Sequence, residues 1–211
     1  MLAKTLELRM HVGTFSIIAM SPDSRSIGIA TASGSTFVGD RVPHAKPGVG
    51  AVATQAYTNI IYGVRGLELM KFGLTPQEAL DSLLREDIAR DLRQVAIMDF
   101  KGRKAAFTGS KVPEYHAEIV RGDYIVIGNM LSSRAIVKGI AETFESTVGD
   151  LAFRLASALK AGSKGGGDKR GEKSAALIVV NDKTVKVKVK VDIHENPIEE
   201  LLRQLNGGNN V

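Results

Sequence analysis

A chain of 211 residues with a net charge of +5 and no cysteine is long enough to bury its own core, and it has no route to a disulfide, a thiolate nucleophile or a cysteine-held metal. No apolar run approaches the roughly 20 residues of a membrane helix. Lys4, Glu7 and Arg9 break up the first ten residues, which excludes a secretory signal. The reading is therefore a cytoplasmic protein with no membrane partner. Its sequence pI of about 9.4 reads as a basic surface rather than nucleic-acid binding, because aromatic residues are few and no zinc-finger or RNA-recognition signature occurs.

Residues 1–13 read as a leader or propeptide, or as sequence ahead of a later start such as Met10. Residues 14–205 read as a single domain and 206–211 as a flexible tail. Strands are expected at 14–20 and 26–33, joined by the turn residues Ser21-Pro22-Asp23-Ser24. Residues 34–46 read as a loop and 48–55 as a third strand with close backbone neighbours at its glycines. A helix over 62–72 closes at Gly73. A second starts at Thr75-Pro76-Gln77-Glu78, with Thr75 as N-cap and Glu78 completing a capping box. Hairpins follow at 95–99/104–108 and 118–120/124–128. Ser132 or Ser133 caps a helix to about Ser146, and Asp150 to Ala161 forms another that Gly162 ends. After a loop over 163–173 come a buried strand at 175–180 and a strand at 185–191. Lys186, Lys188 and Lys190 give that last strand a solvated face and mark a protected edge. Pro197 opens a final helix to about Leu205.

Paired helices between blocks of antiparallel strands predict an α+β fold, an αββα sandwich of two stacked sheets. Gly13-Thr14-Phe15-Ser16-Ile17 stands out chemically. Cutting after Gly13 would give Thr14 both a hydroxyl and a free amine, a nucleophile and its base in one residue. An α-amine titrates at roughly 7.7–8.0, suited to a base near neutral pH. The plain alternative is a threonine that simply favours a strand.

Five motifs carry a resemblance: Thr14-Phe15-Ser16-Ile17, Gly48-Val49-Gly50-Ala51-Val52-Ala53-Thr54-Gln55, Tyr62-Gly63-Val64-Arg65-Gly66-Leu67-Glu68-Leu69, Gly128-Asn129-Met130-Leu131, and Gly166-Gly167-Asp168 with Ser174-Ala175-Ala176-Leu177. With these the chain resembles a bacterial and archaeal family of unassigned function related to the N-terminal nucleophile (Ntn) hydrolases, which include proteasome β subunits. The resemblance implies Thr14 as nucleophile, Lys46 (or Arg41) as the cation beside it, and Thr54-Gln55 and Gly128-Asn129 around the oxyanion. It implies Asp168 and Ser174 as groups that orient the threonine. Lys46 also reads as a solvated loop lysine, and Asn129 as the N-cap of the following helix. The aspartate that proteasome β subunits carry at the end of the second strand is absent here. Ser33 stands in that region and supplies a hydrogen bond without the charge.

The implied activity is an N-terminal-threonine amidohydrolase or peptidase, self-cleaved between Gly13 and Thr14 and acting on a small amide or peptide. The rival is an inactive binding or assembly protein on the same fold. No cofactor is implied, and the scattered histidines 11, 44, 116 and 194 imply no metal. A homo-oligomer is expected. Gly166 to Ser174 approaches a phosphate-binding loop, but Glu172 interrupts it and the helix–loop–strand order is reversed.

Overall fold

The computed structural model describes residues 13–23 and 25–207. The expectations for residues 1–12 and 208–211 lie outside the described residues. Strands β1 (Thr14–Met20), β2 (Ser26–Ser33), β3 (Pro43–Lys46) and β4 (Gly50–Ala56) come first. Helices α1 (Ile61–Lys71) and α2 (Pro76–Glu86) follow, then β5 (Arg93–Asp99), β6 (Lys104–Thr108), β7 (Ala117–Arg121) and β8 (Tyr124–Asn129). The chain continues through α3 (Ala135–Ser146), α4 (Leu151–Lys164), β9 (Ser174–Asn181), β10 (Val185–Val191) and α5 (Pro197–Gly207).

The strands make two antiparallel sheets, a six-stranded one in the order β10-β9-β2-β1-β8-β7 and a four-stranded one in the order β3-β4-β5-β6. Three apolar clusters weld four layers. Phe15, Ile17, Ala30 and Leu177 of the large sheet pack on Ile140, Leu155, Leu159 and Leu201 of α3, α4 and α5. Ile18, Ile29, Ile127, Ala53 and Met98 fill the space between the sheets. Val52 and Ile97 of the small sheet meet Tyr62, Leu67 and Leu80 of α1 and α2. The expected αββα sandwich is the observed architecture.

Local chemistry explains most of the boundaries. The Thr75 side chain accepts from the Glu78 N–H and the Glu78 carboxylate accepts from the Thr75 N–H, so the capping box forms as read. Gly73 takes φ +103, a left-handed value that ends α1 without strain. β10 lies at a sheet edge, with Lys186 and Lys188 exposed and Lys190 paired to Asp40 and Asp192 at 2.8 and 3.2 Å.

Four expectations need correction. The stretch 34–46 is not all loop, because it holds a 3-10 turn at Val38–Asp40 and the short strand β3. Gly162 does not end α4. It lies inside the helix, where an added Cβ would come within 2.8 Å of Ile140 and 3.0 Å of Phe15, so it lets α4 sit close on α3 and β1. The N-cap position of α3 is Arg134, and Ser133 contributes only a 3.1 Å contact from its hydroxyl to the Ala135 N–H. α5 runs to Gly207, into the stretch read as tail.

The period of two along each strand sets up the site. Facing the space between the sheets are Thr14, Ser16 and Ile18 on β1; Ile29, Thr31 and Ser33 on β2; and Ile127 and Asn129 on β8. Ser174 and Ala176 on β9, Ala53 and Gln55 on β4, and Gln94 and Ala96 on β5 share that alternation. Pairing Thr14 with Asn129, Ser33 with Ser174 and Gln55 with Gln94 puts every polar member at one end of the sandwich. The inter-sheet layer is thus apolar at one end and polar at the other.

Phe15, fully buried beside Thr14, anchors β1 to α3 and α4. Phe15→Ala is expected to lower stability by about 3–5 kcal/mol, read from urea unfolding.

Candidate active site

The polar end is closed off from water. Thr14 and Ser33 are each 1% exposed, and Asn129, Gln55, Gln94 and Ser174 are at 0%. Buried polar groups of this kind must find partners inside the protein. All but Ser174 do so around the Gly13–Thr14 backbone.

Gly13 donates its N–H to Asn129 Oδ1 at 3.1 Å. Its carbonyl oxygen accepts from Thr14 Oγ1 at 2.5 Å, Ser33 Oγ at 2.5 Å and Arg170 Nη2 at 3.2 Å. Thr14 Oγ1 also lies 3.2 Å from Ser33 Oγ. The next carbonyl, that of Thr14, accepts from Gln55 Nε2 at 3.2 Å and Asn129 Nδ2 at 3.4 Å. Both carbonyls and the N–H between them and β8 are therefore held by side chains from β2, β4, β8 and the loop before β9.

Further amide contacts fix those side chains. Gln94 Oε1 accepts from Gln55 at 2.8 Å and from Asn129 at 3.1 Å. Its Nε2 reaches back to the Gly128 carbonyl at 3.0 Å and to Thr108 Oγ1 at 3.1 Å. Gln94 belongs to the small sheet and Asn129 to the large one, so this amide bridges the two. Ser16 Oγ donates to Gln55 Oε1 at 2.6 Å, which sets the orientation of the Gln55 amide.

Charge enters from the loop before β9. Asp168 has a fully buried side chain and pairs with Arg170 through Nε–Oδ1 at 3.0 Å and Nη2–Oδ2 at 2.8 Å. It also accepts the Gly34 N–H at 2.8 Å, just beyond the end of β2. A carboxylate from a distant loop thus reaches the end of β2. Glu172 holds that loop by accepting the Asp168 N–H at 2.9 Å and the Ser163 hydroxyl at 2.8 Å. Nearby, burial is the main influence pulling the Arg41 guanidinium below its usual range; Asp40 opposes this and Arg170 adds to it.

Backbone strain collects at the same end. Ala56 at φ +67 and Met130 at φ +51 directly follow Gln55 and Asn129, and Phe37 at φ +56 lies on the loop after Ser33. Left-handed non-glycine residues are uncommon, and each costs about 1–3 kcal/mol. Here they turn the chain away immediately after the residues that grip Gly13–Thr14.

Of the residues singled out in the sequence, Thr14, Ser33, Gln55, Asn129 and Asp168 come together here. Gly128 takes part through its carbonyl. Ser174 stands one step away, donating to the Ser35 carbonyl at 2.6 Å and accepting from the Val38 N–H at 3.1 Å, so it shapes the loop after β2. Asn129 does not cap α3; its side chain is turned into the site. Thr54 points to the other face of β4 and donates to the Asn59 carbonyl at 3.0 Å. Lys46 is elsewhere. It pairs with Gly50 at the opposite end of β4 from Gln55, five residues or about 17 Å along the strand. The cations that do reach the region are Arg170 and, beside it, Arg41. Arg170 and Gln94 were not picked out from the sequence. Arg170 lies in a glycine-rich loop whose path only the fold defines, and Gln94 sits one residue before the apolar run of β5. Among the described residues, no cluster of three or more His, Cys, Asp or Glu could hold a metal ion, and no helix is long and apolar enough to cross a membrane.

Residues 14–201 match the family of unknown function DUF1028, so the aligned region opens on the buried threonine itself. The chain belongs to the DUF1028 family. The crystal structure of protein SPO2555 from Silicibacter pomeroyi, of the same family, is 31% identical; the match covers 94% of this chain and 90% of that one, with a TM-score of 0.87. An Anbu (ancestral beta-subunit) from Yersinia bercovieri is 9% identical over 93% of this chain and 94% of that one, with a TM-score of 0.46. No curated protein matches the sequence.

Gln94→Leu removes the shared acceptor of Gln55 and Asn129 and leaves buried amide groups short of partners. Stability is expected to fall by about 2–4 kcal/mol in urea unfolding, more than an isosteric change to a packed core residue.

Proposed function

We propose that this DUF1028 protein is an N-terminal nucleophile hydrolase of the threonine type, freed by cleavage of its own Gly13–Thr14 bond and then acting on amides. The observation that carries the reading is the cradle on the Gly13 carbonyl. A hydroxyl nucleophile one residue on, a second hydroxyl and a guanidinium all converge on the oxygen that would bear negative charge during attack.

The contacts also supply a proton path. The one Thr14 hydroxyl proton has two acceptors within reach, the Gly13 oxygen and Ser33 Oγ; turned to Ser33 at 3.2 Å, it leaves the Ser33 proton to go to the Gly13 oxygen at 2.5 Å. As Thr14 Oγ1 adds to the Gly13 carbon, its proton passes to Ser33, and the Ser33 proton passes to the developing oxyanion. Arg170 offsets the charge that remains. Collapse of the adduct breaks the C–N bond, returns a proton to the Thr14 nitrogen and leaves an ester on Thr14 Oγ1. Water then hydrolyses the ester, giving a Gly13 carboxylate and a chain that begins at Thr14.

In that product the Thr14 amine is the base for its own hydroxyl. The Arg170 cation close by disfavours the ammonium form. Gln55 and Asn129 keep the Thr14 carbonyl, and with it the new terminus, in place. Asp168 is a positioning residue that holds Arg170. The burial of Thr14 in the uncut chain fits a site that opens only after cleavage.

Intact mass is the direct test. The wild-type chain is expected to lose residues 1–13; Thr14→Ser keeps cleavage, and Thr14→Ala abolishes both cleavage and amide hydrolysis. Ser33→Ala is expected to slow cleavage by about 10²–10³-fold. Cleavage in Thr14→Ala, or a wild-type chain that stays whole on prolonged incubation, would overturn the reading and leave a binding or assembly role on the same fold.

A pH dependence follows as well. The neutral amine is the working form, so kcat/KM for an amide substrate should rise with pH and level off by about pH 8, the ordinary range of an α-amine. A rate that falls across that range would exclude the Thr14 amine as base.

A further inference from the structure

Gly13 is held at every atom that could carry recognition. The N–H meets Asn129, and the carbonyl oxygen meets Ser33 and Arg170. The α-carbon lies against the Asp168–Arg170 pair. A Cβ added there would fall 2.4 Å from Asp168 Oδ2 and 2.5 Å from Arg170 Nη2. The backbone also stands at φ +100, where an L side chain is strained. The obstructing pair has little freedom to yield, because the buried Asp168 carboxylate is fixed by Gly34 and by two contacts with the Arg170 side chain.

We infer that the cleaved enzyme is selective for N-acylglycyl amides, substrates with a glycine on the acyl side of the broken bond. The inference rests on the hydrolase reading above and extends it to a substrate class. The link is a shared intermediate. Cleavage of the chain's own bond leaves Thr14 Oγ1 esterified by a glycyl group that bears an amide N–H. Attack of Thr14 Oγ1 on R–CO–NH–CH2–CO–NH–R′ breaks the C–N bond and expels the amine R′–NH2, which takes up the hydroxyl proton. It leaves the same glycyl ester, differing only in R. Water then releases the N-acylglycine carboxylate and restores the hydroxyl. An acyl group the site must already accept once is thus the one whose N–H, α-carbon and oxygen fit Asn129, the Asp168–Arg170 wall, and Ser33 with Arg170. Any L side chain on that carbon has to displace the ion pair.

The test uses the chain from Thr14 onward, which contains every strand, helix and apolar cluster described. It is obtained by self-cleavage or by removing an N-terminal ubiquitin fusion. Titration calorimetry with N-acetylglycine and N-acetyl-L-alanine reads the cradle without turnover, and the corresponding 4-nitroanilides read hydrolysis. N-acetylglycine is expected to bind at least tenfold tighter than N-acetyl-L-alanine, and the glycyl anilide to react at least tenfold faster. Equal binding of the two acids, or binding of neither, overturns the inference. Equal hydrolysis of both anilides, lost in Thr14→Ala, also overturns it while the hydrolase reading stands. Selective binding of N-acetylglycine with neither anilide hydrolysed leaves the cradle selectivity in place and overturns the hydrolase reading instead.

Discussion

The structure depends on the burial of the Gly13–Thr14 backbone, where the Gly13 N–H and both carbonyls have side-chain partners. A backbone carbonyl or N–H taken out of water without a partner costs about as much as a lost hydrogen bond. At Gly13–Thr14 the partners come from four separate places in the chain, β2, β4, β8 and the loop before β9. A shift of β8 would leave the Gly13 N–H without Asn129, and a shift of any of the others would cost one of the carbonyls a donor. The fold's polar end is therefore specified as tightly as its apolar core, by satisfaction rather than by packing.

That requirement reaches outward through the sheets. Because side chains alternate along a strand, a slip of one residue in β1 against β8 would turn Thr14 and Ser16 towards the helices and Phe15 towards the polar cluster. Core and site thus enforce the same register. Gln94 ties the small sheet to the large one at the point where apolar contact between them gives way to amides. The left-handed Ala56 and Met130 are compatible with this arrangement because the amide network holds the residue before each of them.

Much of the architecture was legible in the sequence, because it is written in local signals. Alternating strands, the Thr75 capping box and Gly73 needed no knowledge of distant contacts. Thr14, Gln55 and Asn129 stand at strand ends, where chain direction changes and polar residues are noticeable. What escaped depends on tertiary register. Pro43–Lys46 is too short to show alternation, so β3 reads as loop, and only its pairing with β4 reveals that Lys46 lies beside Gly50, away from Gln55. Gly162 carries a stop signal for a helix, but close packing of α4 on Phe15 and Ile140 overrides it. Arg170 looked like part of a solvated basic loop, since nothing local says that Asp168 is buried against the end of β2.

The loop before β9 brings a carboxylate and its counter-charge together to the end of β2. A carboxylate fixed on a strand would sit permanently beside the threonine and favour protonation of its amine once the bond is cut. Here the carboxylate arrives already paired with Arg170, and the guanidinium, not the carboxylate, makes the contact with the Gly13 oxygen. The group that hydrogen-bonds the Gly13 oxygen is thus the cation of the pair. In the proposed cleavage that cation would favour the oxyanion, and in the proposed product it would favour a neutral amine over an ammonium. Both steps of the proposed chemistry draw on the same orientation of one ion pair. The Gly34 N–H, donating to Asp168 Oδ2 at 2.8 Å, and Arg170 Nη2, donating to the same oxygen, hold the carboxylate at the end of β2.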